Sequence, residues 1–441
     1  MRKTFIAILA FALPAAAISA QDSPKEWTLQ ECIDHAIEHN IELRQQELAL
    51  KGEEIQLNST KGERLPGIQA ATGQNFSFGR GLTENNTYSN TNTTSTSFSI
   101  GGSLPVFNGL SIRNSIKEGE LNLKASTAEL ESAREDISVR VAQAYVQILY
   151  DTELLQVAEN QIRIDSLQVE RLVSMFENGK ASASEVAQQK ASLGNSRMNA
   201  TQARGSLKIS LLELSQLLEL SSPENFSVQI PDTGIDGLLL ENPESTFERA
   251  VAVKPSVRAD EFKLDASDFT IKIAKAAFLP SISLDGGLGT NYYTANGMDS
   301  DTFMSQIRHN FSQYLGLSLS IPVFNGHQSK NQVRLAKLQR EIQTLQLEST
   351  KKALYKEIQE AYYNAVNAQE QYRSSLLQEE SAKEAFDLVL AKYENGKADI
   401  TEFNEAKNLL LGAESDLSRA RYEYLFSAKL LDFYAGKPLT L

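Results

Sequence analysis

Apolar side chains along most of this chain recur at steps of three and four, and in a few short stretches the step changes to two. Ile137, Val141, Ala144, Ile148, Leu155, Ala158 and Ile162 keep the helical step, with Asp151 standing where a further apolar residue would fall. An apolar repeat every 3.5 residues makes a coiled-coil seam. The pattern predicts a helix from Leu110 to Asn178, 69 residues and about 100 Å long at 1.5 Å per residue. An earlier helix of about 37 residues is predicted from Thr28 to Arg64 and ends at Leu65-Pro66, because proline disfavours helix at the residue before it. Between these helices the period is two. Ile68, Ala70, Phe76 and Phe78 share one parity, as do Phe98, Ile100, Leu104 and Val106. Farther along, Leu315, Leu317, Leu319, Ile321 and Val323 alternate with Gly316, Ser318, Ser320 and Pro322. Such alternation predicts strands with one apolar face, and the Asn-, Thr- and Ser-rich stretch 79–97 reads as a solvated loop.

The whole plan occurs twice. "MFENGKASASEV" at 175–186 returns as "KYENGKADITEF" at 392–403, "LPVFNG" at 104–109 as "IPVFNG" at 321–326, and Ala144-Tyr145 as Ala361-Tyr362, each 217 positions later. Leu65-Pro66 and Leu279-Pro280, like Asn40–Arg44 and Lys254–Arg258, differ by 214. A repeat of this length is a duplicated domain, not a solenoid unit. Asn178-Gly179 and Asn395-Gly396 stop the long helices, since glycine accepts the left-handed conformation at a helix end. Ser182 with Glu185, and Asp399 with Glu402, then fit caps of returning helices. The repeated words are hairpin tips. The returning helix of the first hairpin runs only about 38 residues, to Leu220, so it covers half of the long one. The 37-residue helix stacked on it end to end would complete the row, giving two continuous and two composite helical rows. The expected division is a signal peptide at 1–20, a first repeat at 21–220 with strands at 67–107 and tip 177–184, a linker at 221–245, a second repeat at 246–430 with strands at 281–324 and tip 394–401, and a tail at 431–441.

Composition narrows the function. Arg2 and Lys3, an apolar run from Phe5 to Leu13 and small residues ending at Ala20 predict a secretory signal, too short to span a bilayer. Setting those two cations aside leaves 41 basic against 56 acidic side chains, so nucleic acid is not an expected partner. The one cysteine, Cys32, makes no internal disulfide and is not placed as a lipidated first residue. "HAIEH", His35–His39, fits the inverted zinc-protease pattern with Glu38 as base and Cys32 as an extra ligand. It lacks a third identifiable ligand, so neither catalysis nor a cofactor is expected.

Four strands of about 11 residues have the length to cross an outer membrane. Four cannot close a barrel, and open edges are forbidden in hydrocarbon, so spanning forces oligomerisation. Two to four chains are arithmetically possible. A periplasmic coiled-coil adaptor or scaffold that never spans the membrane is the competing reading, but adaptors carry one hairpin rather than two matched ones.

Taken in order and doubled, these features resemble the TolC family of outer-membrane efflux channels, most closely the members found in Bacteroidetes. The carriers are "WTLQECIDHAIEHNIEL" at 27–43, Leu-Pro before each strand pair, Pro-Val-Phe-Asn-Gly after it, and the aromatic-x-x-Gly tips at Phe176–Gly179 and Tyr393–Gly396. The resemblance covers essentially the whole mature chain. It implies a mainly α protein with a membrane β part, trimerising into a 12-stranded β-barrel and a 12-row α-helical barrel. Its role would be the exit duct of a tripartite efflux pump or type I secretion system, with a periplasmic adaptor, an inner-membrane transporter and outer-membrane lipid as partners. Residues 221–245 and the end after Leu431 would form an equatorial girdle. The family's periplasmic gate maps onto Tyr393, Asp399, Glu402 and Glu405; three copies would give acidic rings favouring cations. Ala398 stands where some members have a gating arginine, so a lock would need Lys397 or another partner. Adaptor docking would use Asn178, Gly179, Lys180 and Ala181 with Asn395, Gly396, Lys397 and Ala398. Few Met, His and Cys residues lean against a soft-metal cargo.

Overall fold

The computed structural model describes residues 26–82, 86–221, 226–231, 240–296 and 299–440. The expected signal peptide and residues 222–225 and 232–239 of the 221–245 linker lie outside the described residues. Two long helices dominate, α3 (Ser111–Glu177) and α8 (Gln328–Glu394), each of 67 residues. α4 (Ala183–Leu217) and α9 (Ile400–Tyr434), 35 residues each, return from the tips.

The predicted 37-residue helix is broken. It consists of α1 (Leu29–His39) and α2 (Ile41–Gly62), parted at Asn40, whose ψ of 129° is extended and whose side chain accepts the amides of Glu42 and Leu43. The second repeat breaks at the matching place, Lys254, between α5 (Pro243–Val253) and α6 (Pro255–Ala276). Pro255 there disfavours helix at the residue before it. The break lets α1 leave the row and lay Leu29, Cys32, Ile33 and Ala36 in one core with Val141, Ala142, Tyr145 and Leu149 of α3. The Tyr145 hydroxyl donates to the Gln229 carbonyl at 2.5 Å, tying α3 to the parallel pair of β1 (Glu26–Trp27) and β6 (Ser227–Val228).

Only α2 continues the α4 row: Asn40 Nδ2 donates to the Leu217 carbonyl at 3.1 Å where the two meet. α6 likewise follows α9, with Lys254 Nζ 4.0 Å from the Phe433 ring. Helix packing orders the rows as α2 over α4, α3, α6 over α9, and α8. Two rows are continuous and two composite, as the pattern implies, although the composite ones are shorter than 37 plus 38 residues.

At the far end the chain forms one antiparallel sheet, in the order β2 (Gly67–Ser77), β5 (Thr93–Asn108), β7 (Ser281–Ala295), β8 (Ser312–Ser320). Register aligns the expected parity across all four strands: Ala70 faces Ile100, Ile100 faces Leu288, and Leu284 pairs with both Leu104 and Leu317. One face is therefore apolar. The other carries Ser97, Ser99, Asn291, Ser318 and glycines. The apolar face is bare in the single chain, with Leu315 79% and Leu317 70% exposed.

Three local details differ from the sequence reading. The expected 79–97 loop contains a small hairpin, β3 (Arg80–Leu82) with β4 (Tyr88–Asn90), and its last five residues belong to β5. Residues 321–325 are outside β8, although their counterparts in β5 are paired with β7. Between β7 and β8 lies a short helix, α7 (Phe303–His309), held by Thr302 capping Ser305 and by Gln306 bridging to the Tyr293 backbone.

Candidate functional site

Both hairpin tips close the same way. At the first, Gly179 has φ +69°, its amide meets the Phe176 carbonyl at 2.9 Å, and the Lys180 amide reaches the Met175 carbonyl at 2.7 Å. At the second, Gly396 has φ +68°, with the matching bonds to Tyr393 and Lys392 at 3.1 and 2.8 Å. Glycine takes this left-handed backbone without the side-chain clash that other residues suffer. Asn178 and Asn395 each turn their side-chain amide back to a carbonyl four residues earlier, at 2.7 Å. The next helix starts differently in the two tips. Ser182 and Glu185 form the full reciprocal box, and the Ser182 amide pulls the Glu185 carboxyl below its usual range. Asp399 instead takes both the Thr401 and Glu402 amides, at 2.8 and 2.9 Å. Glu402 is released from the expected box and lies 3.8 Å from Lys392.

The four gate candidates are therefore not one cluster. Tyr393 stacks on Phe403 at 5.0 Å, while Asp399 and Glu402 are exposed on the same turn and Glu405 is exposed farther along α9. Burial pushes the Tyr393 hydroxyl up. Sequence reasoning missed its partner from the other hairpin, Arg171 of α3. That guanidinium sits 5.8 Å from the Tyr393 ring and donates to the Glu394 carbonyl at 3.1 Å. Leu172 packs with Phe386, Ile400 and Phe403 beside it, so the two tips are joined by an apolar plug with a cationic edge.

About two turns from that plug along α3, a second junction is fully buried. Lys407 of α9 donates to Asp165 of α3 at 2.7 Å and to Ser192 of α4 at 2.8 Å; Asp165 is 0% and Lys407 2% exposed. Gln189 and Ser196 also donate to the Asp165 carboxylate. The α3 heptad carried a signal for it, because Asp165 falls one step past Ile162 and two heptads past the conspicuous Asp151.

The "HAIEH" residues do not assemble a metal centre. His35 and His39 stack at 4.1 Å, but Cys32 points into the α1–α3 core, where burial pushes its thiol up to about 12. Among the described residues no group of three or more metal-binding side chains forms, and no helix is long and apolar enough to cross a membrane.

The outer membrane efflux protein family profile matches two blocks, residues 32–219 and 247–437, which fall on the two structural repeats. The chain belongs to that family. As an outer membrane efflux protein it has relatives of low identity and long overlap. Outer membrane protein TolC of Vibrio cholerae is 24% identical over 319 residues, covering 71% of this chain and 70% of the relative. Outer membrane protein OprJ of Pseudomonas aeruginosa is 24% identical over 379 residues, covering 83% and 75%. Among solved structures, a membrane protein from Pseudomonas aeruginosa superposes with a TM-score of 0.78 at 18% identity, over 97% of this chain and 98% of that one. The Campylobacter jejuni CmeC outer membrane channel gives 0.75 at 17% identity, over 100% and 95%. The efflux-family fold thus extends over both repeats, and the non-spanning adaptor reading is set aside.

Proposed function

We propose that three copies of this chain close into a passive exit duct through the outer membrane, a 12-stranded barrel over a helical tunnel, serving a tripartite efflux or secretion system. The observation that carries it is an asymmetry between matched glycines. A Cβ on Gly109 would lie 2.7 Å from the Ala276 carbonyl oxygen and 2.9 Å from Leu279 Cβ, so the first repeat is pressed against the second there. A Cβ on Gly326, its counterpart with the same φ of +63°, would meet nothing within 4 Å among the described residues. The counterparts of Ala276 and Leu279 are Gly62 and Leu65, and Leu65 is 68% exposed. The missing neighbour of Gly326 is therefore Gly62–Leu65 of another copy.

The same logic applies to the sheet, whose β2 and β8 edges are unpaired among the described residues and whose apolar face suits lipid. Carrying the β5–β7 register over by the repeat shifts sets Leu319 opposite Thr72 of the next chain. Thr72→Cys with Leu319→Cys is expected to give a chain-to-chain disulfide under mild oxidation. Thr72→Cys with Ser318→Cys, on opposite faces, is not; equal yields would refute the register.

At the periplasmic end, Tyr393, Asp399, Glu402 and Glu405 act as the gate. Arg171 replaces the arginine that Ala398 lacks, and Asn178–Ala181 with Asn395–Ala398 dock the adaptor that bridges to an inner-membrane transporter. Purified protein added to a planar bilayer should give discrete conductance steps. Glu402→Ala with Glu405→Ala should enlarge those steps and weaken their cation preference. Absence of any step would count against the duct, whereas unchanged steps in the variant would count only against the gate.

A further inference from the structure

Charge is segregated along this acidic molecule. In the seven residues of each helix row nearest the sheet (56–62, 111–117, 270–276 and 328–334), seven side chains are basic and none is acidic, and all seven are exposed. That is a formal +7 in a chain of −13, so the rest carries −20. Two of these groups, Lys272 and Lys275, share a groove between α6 and α8 with Lys337 and Arg340. The groove is open, about 800 Å³, and sets these four against Asp268 and Glu341. Arg340 is engaged by Asp268 at 2.5 Å, whereas Lys272, Lys275 and Lys337 have no carboxylate within ion-pair distance among the described residues. Ile271 and Leu345 give the groove an apolar flank. Lys275 is six residues before the first residue of β7, and Lys330, Arg334 and Lys337 recur at steps of four and three on α8.

We infer that the groove formed by Lys272, Lys275 and Lys337 beside the sheet holds the phosphate of an anionic phospholipid headgroup, in the leaflet facing the periplasm. This rests on the reading that the sheet spans the outer membrane. Three ammonium groups without a carboxylate partner, that of Lys272 resting 3.9 Å from the Phe269 ring, are suited to a phosphate oxyanion as compact point charges. Basic side chains clustered next to a membrane-spanning segment are attracted to anionic lipid over about a Debye length. A soluble phosphate would satisfy the same charges. The apolar flank and the position beside the bare lipid-type face favour a headgroup with its acyl chains.

The test uses full-length protein reconstituted into phosphatidylethanolamine vesicles containing a minor fraction of phosphatidylglycerol, then extracted in mild detergent, with retained lipid quantified by native mass spectrometry. Phosphatidylglycerol should be enriched severalfold over its bulk fraction. The Lys272→Gln, Lys275→Gln, Lys337→Gln variant should fall to the bulk ratio, and Lys190→Gln, Lys208→Gln, Lys352→Gln, exposed and remote from the sheet, should keep the enrichment. Bulk-ratio lipid on the wild type, or equal enrichment in both triple variants, overturns the inference. Displacement of the lipid by inorganic phosphate alone assigns the groove to a soluble anion and overturns it as well. Protein that never enters the vesicles refutes the membrane reading and this inference together, whereas inserted protein without enrichment refutes only this one.

Discussion

The two hairpins share length, tip geometry and direction, yet their seams are built from different chemistry. In the first, Asp151 is bonded by Ser210, Ala158 packs with Ala203, and Asp165 is bonded by Ser196, a regular antiparallel ladder seven residues apart on each helix. In the second, the corresponding positions are Ala368, Ser375 and Ala382 on α8 and Ser427, Ala420 and Ala413 on α9, all buried except the partly buried Ser427. Both solutions bring two helices close with small or short side chains. The polar one is completed only by Lys407, which comes from the other hairpin. The duplicated fold therefore tolerates a seam without the two carboxylates, and the difference has been used to fasten one repeat to the other. A buried pair of this kind fixes which surfaces meet more than it adds net stability, because desolvation offsets much of the attraction.

The largest expected effect comes from breaking that fastening. Lys407→Met leaves Asp165 buried without its cation and should cost about 3–5 kcal/mol, read as a lowered midpoint in denaturant. Lys407→Met combined with Asp165→Leu should recover most of it. A double variant as unstable as the single would mean that packing, not the stranded charge, sets the cost. The tips, by contrast, should behave alike. Gly179→Ala and Gly396→Ala each force a side chain into the left-handed region and should cost about 1–2 kcal/mol apiece; a clear inequality would show that the two turns carry different loads.

The smallest effect is a pH dependence of opposite sign in the two hairpins. Glu185 titrates below its usual range because of the Ser182 amide, so its contribution is present above the unfolded value and lost as pH falls through the folded one. Glu185→Gln should therefore destabilise at neutral pH, with the deficit vanishing in acid. Burial and Glu379 push the Glu414 carboxyl up, so its contribution is present below the unfolded value and lost as pH rises through the folded one. Glu414→Gln should be neutral or stabilising at pH 7 and give no benefit in acid. Stability measured across pH for both variants checks the signs.

Much of this was legible before any coordinates. The period change from 3.5 to two placed the long helices and strands, and the repeat shift of 217 placed both tips. The breaks at Asn40 and Lys254 were also written in the sequence, since Lys254-Pro255 carries the same proline signal as Leu65-Pro66. Their consequence, α1 folding aside onto Tyr145, depends on tertiary packing that periodicity does not report. Arg171 and Lys407 were invisible for a different reason. Each acts across 215 residues or more of sequence, on a partner whose position is set only when the two hairpins dock. The pairing of residues 321–325 is absent from the single chain; on the proposed closure, the repeat relation makes β2 of another copy its partner.

That last point is the central claim, that one chain is an incomplete wall finished by identical neighbours. The mass of the detergent-extracted particle, measured by light scattering with the detergent contribution subtracted, addresses it most directly. The account predicts membrane-bound protein whose particle contains three chains. A stable single chain, soluble in water without detergent, would contradict it.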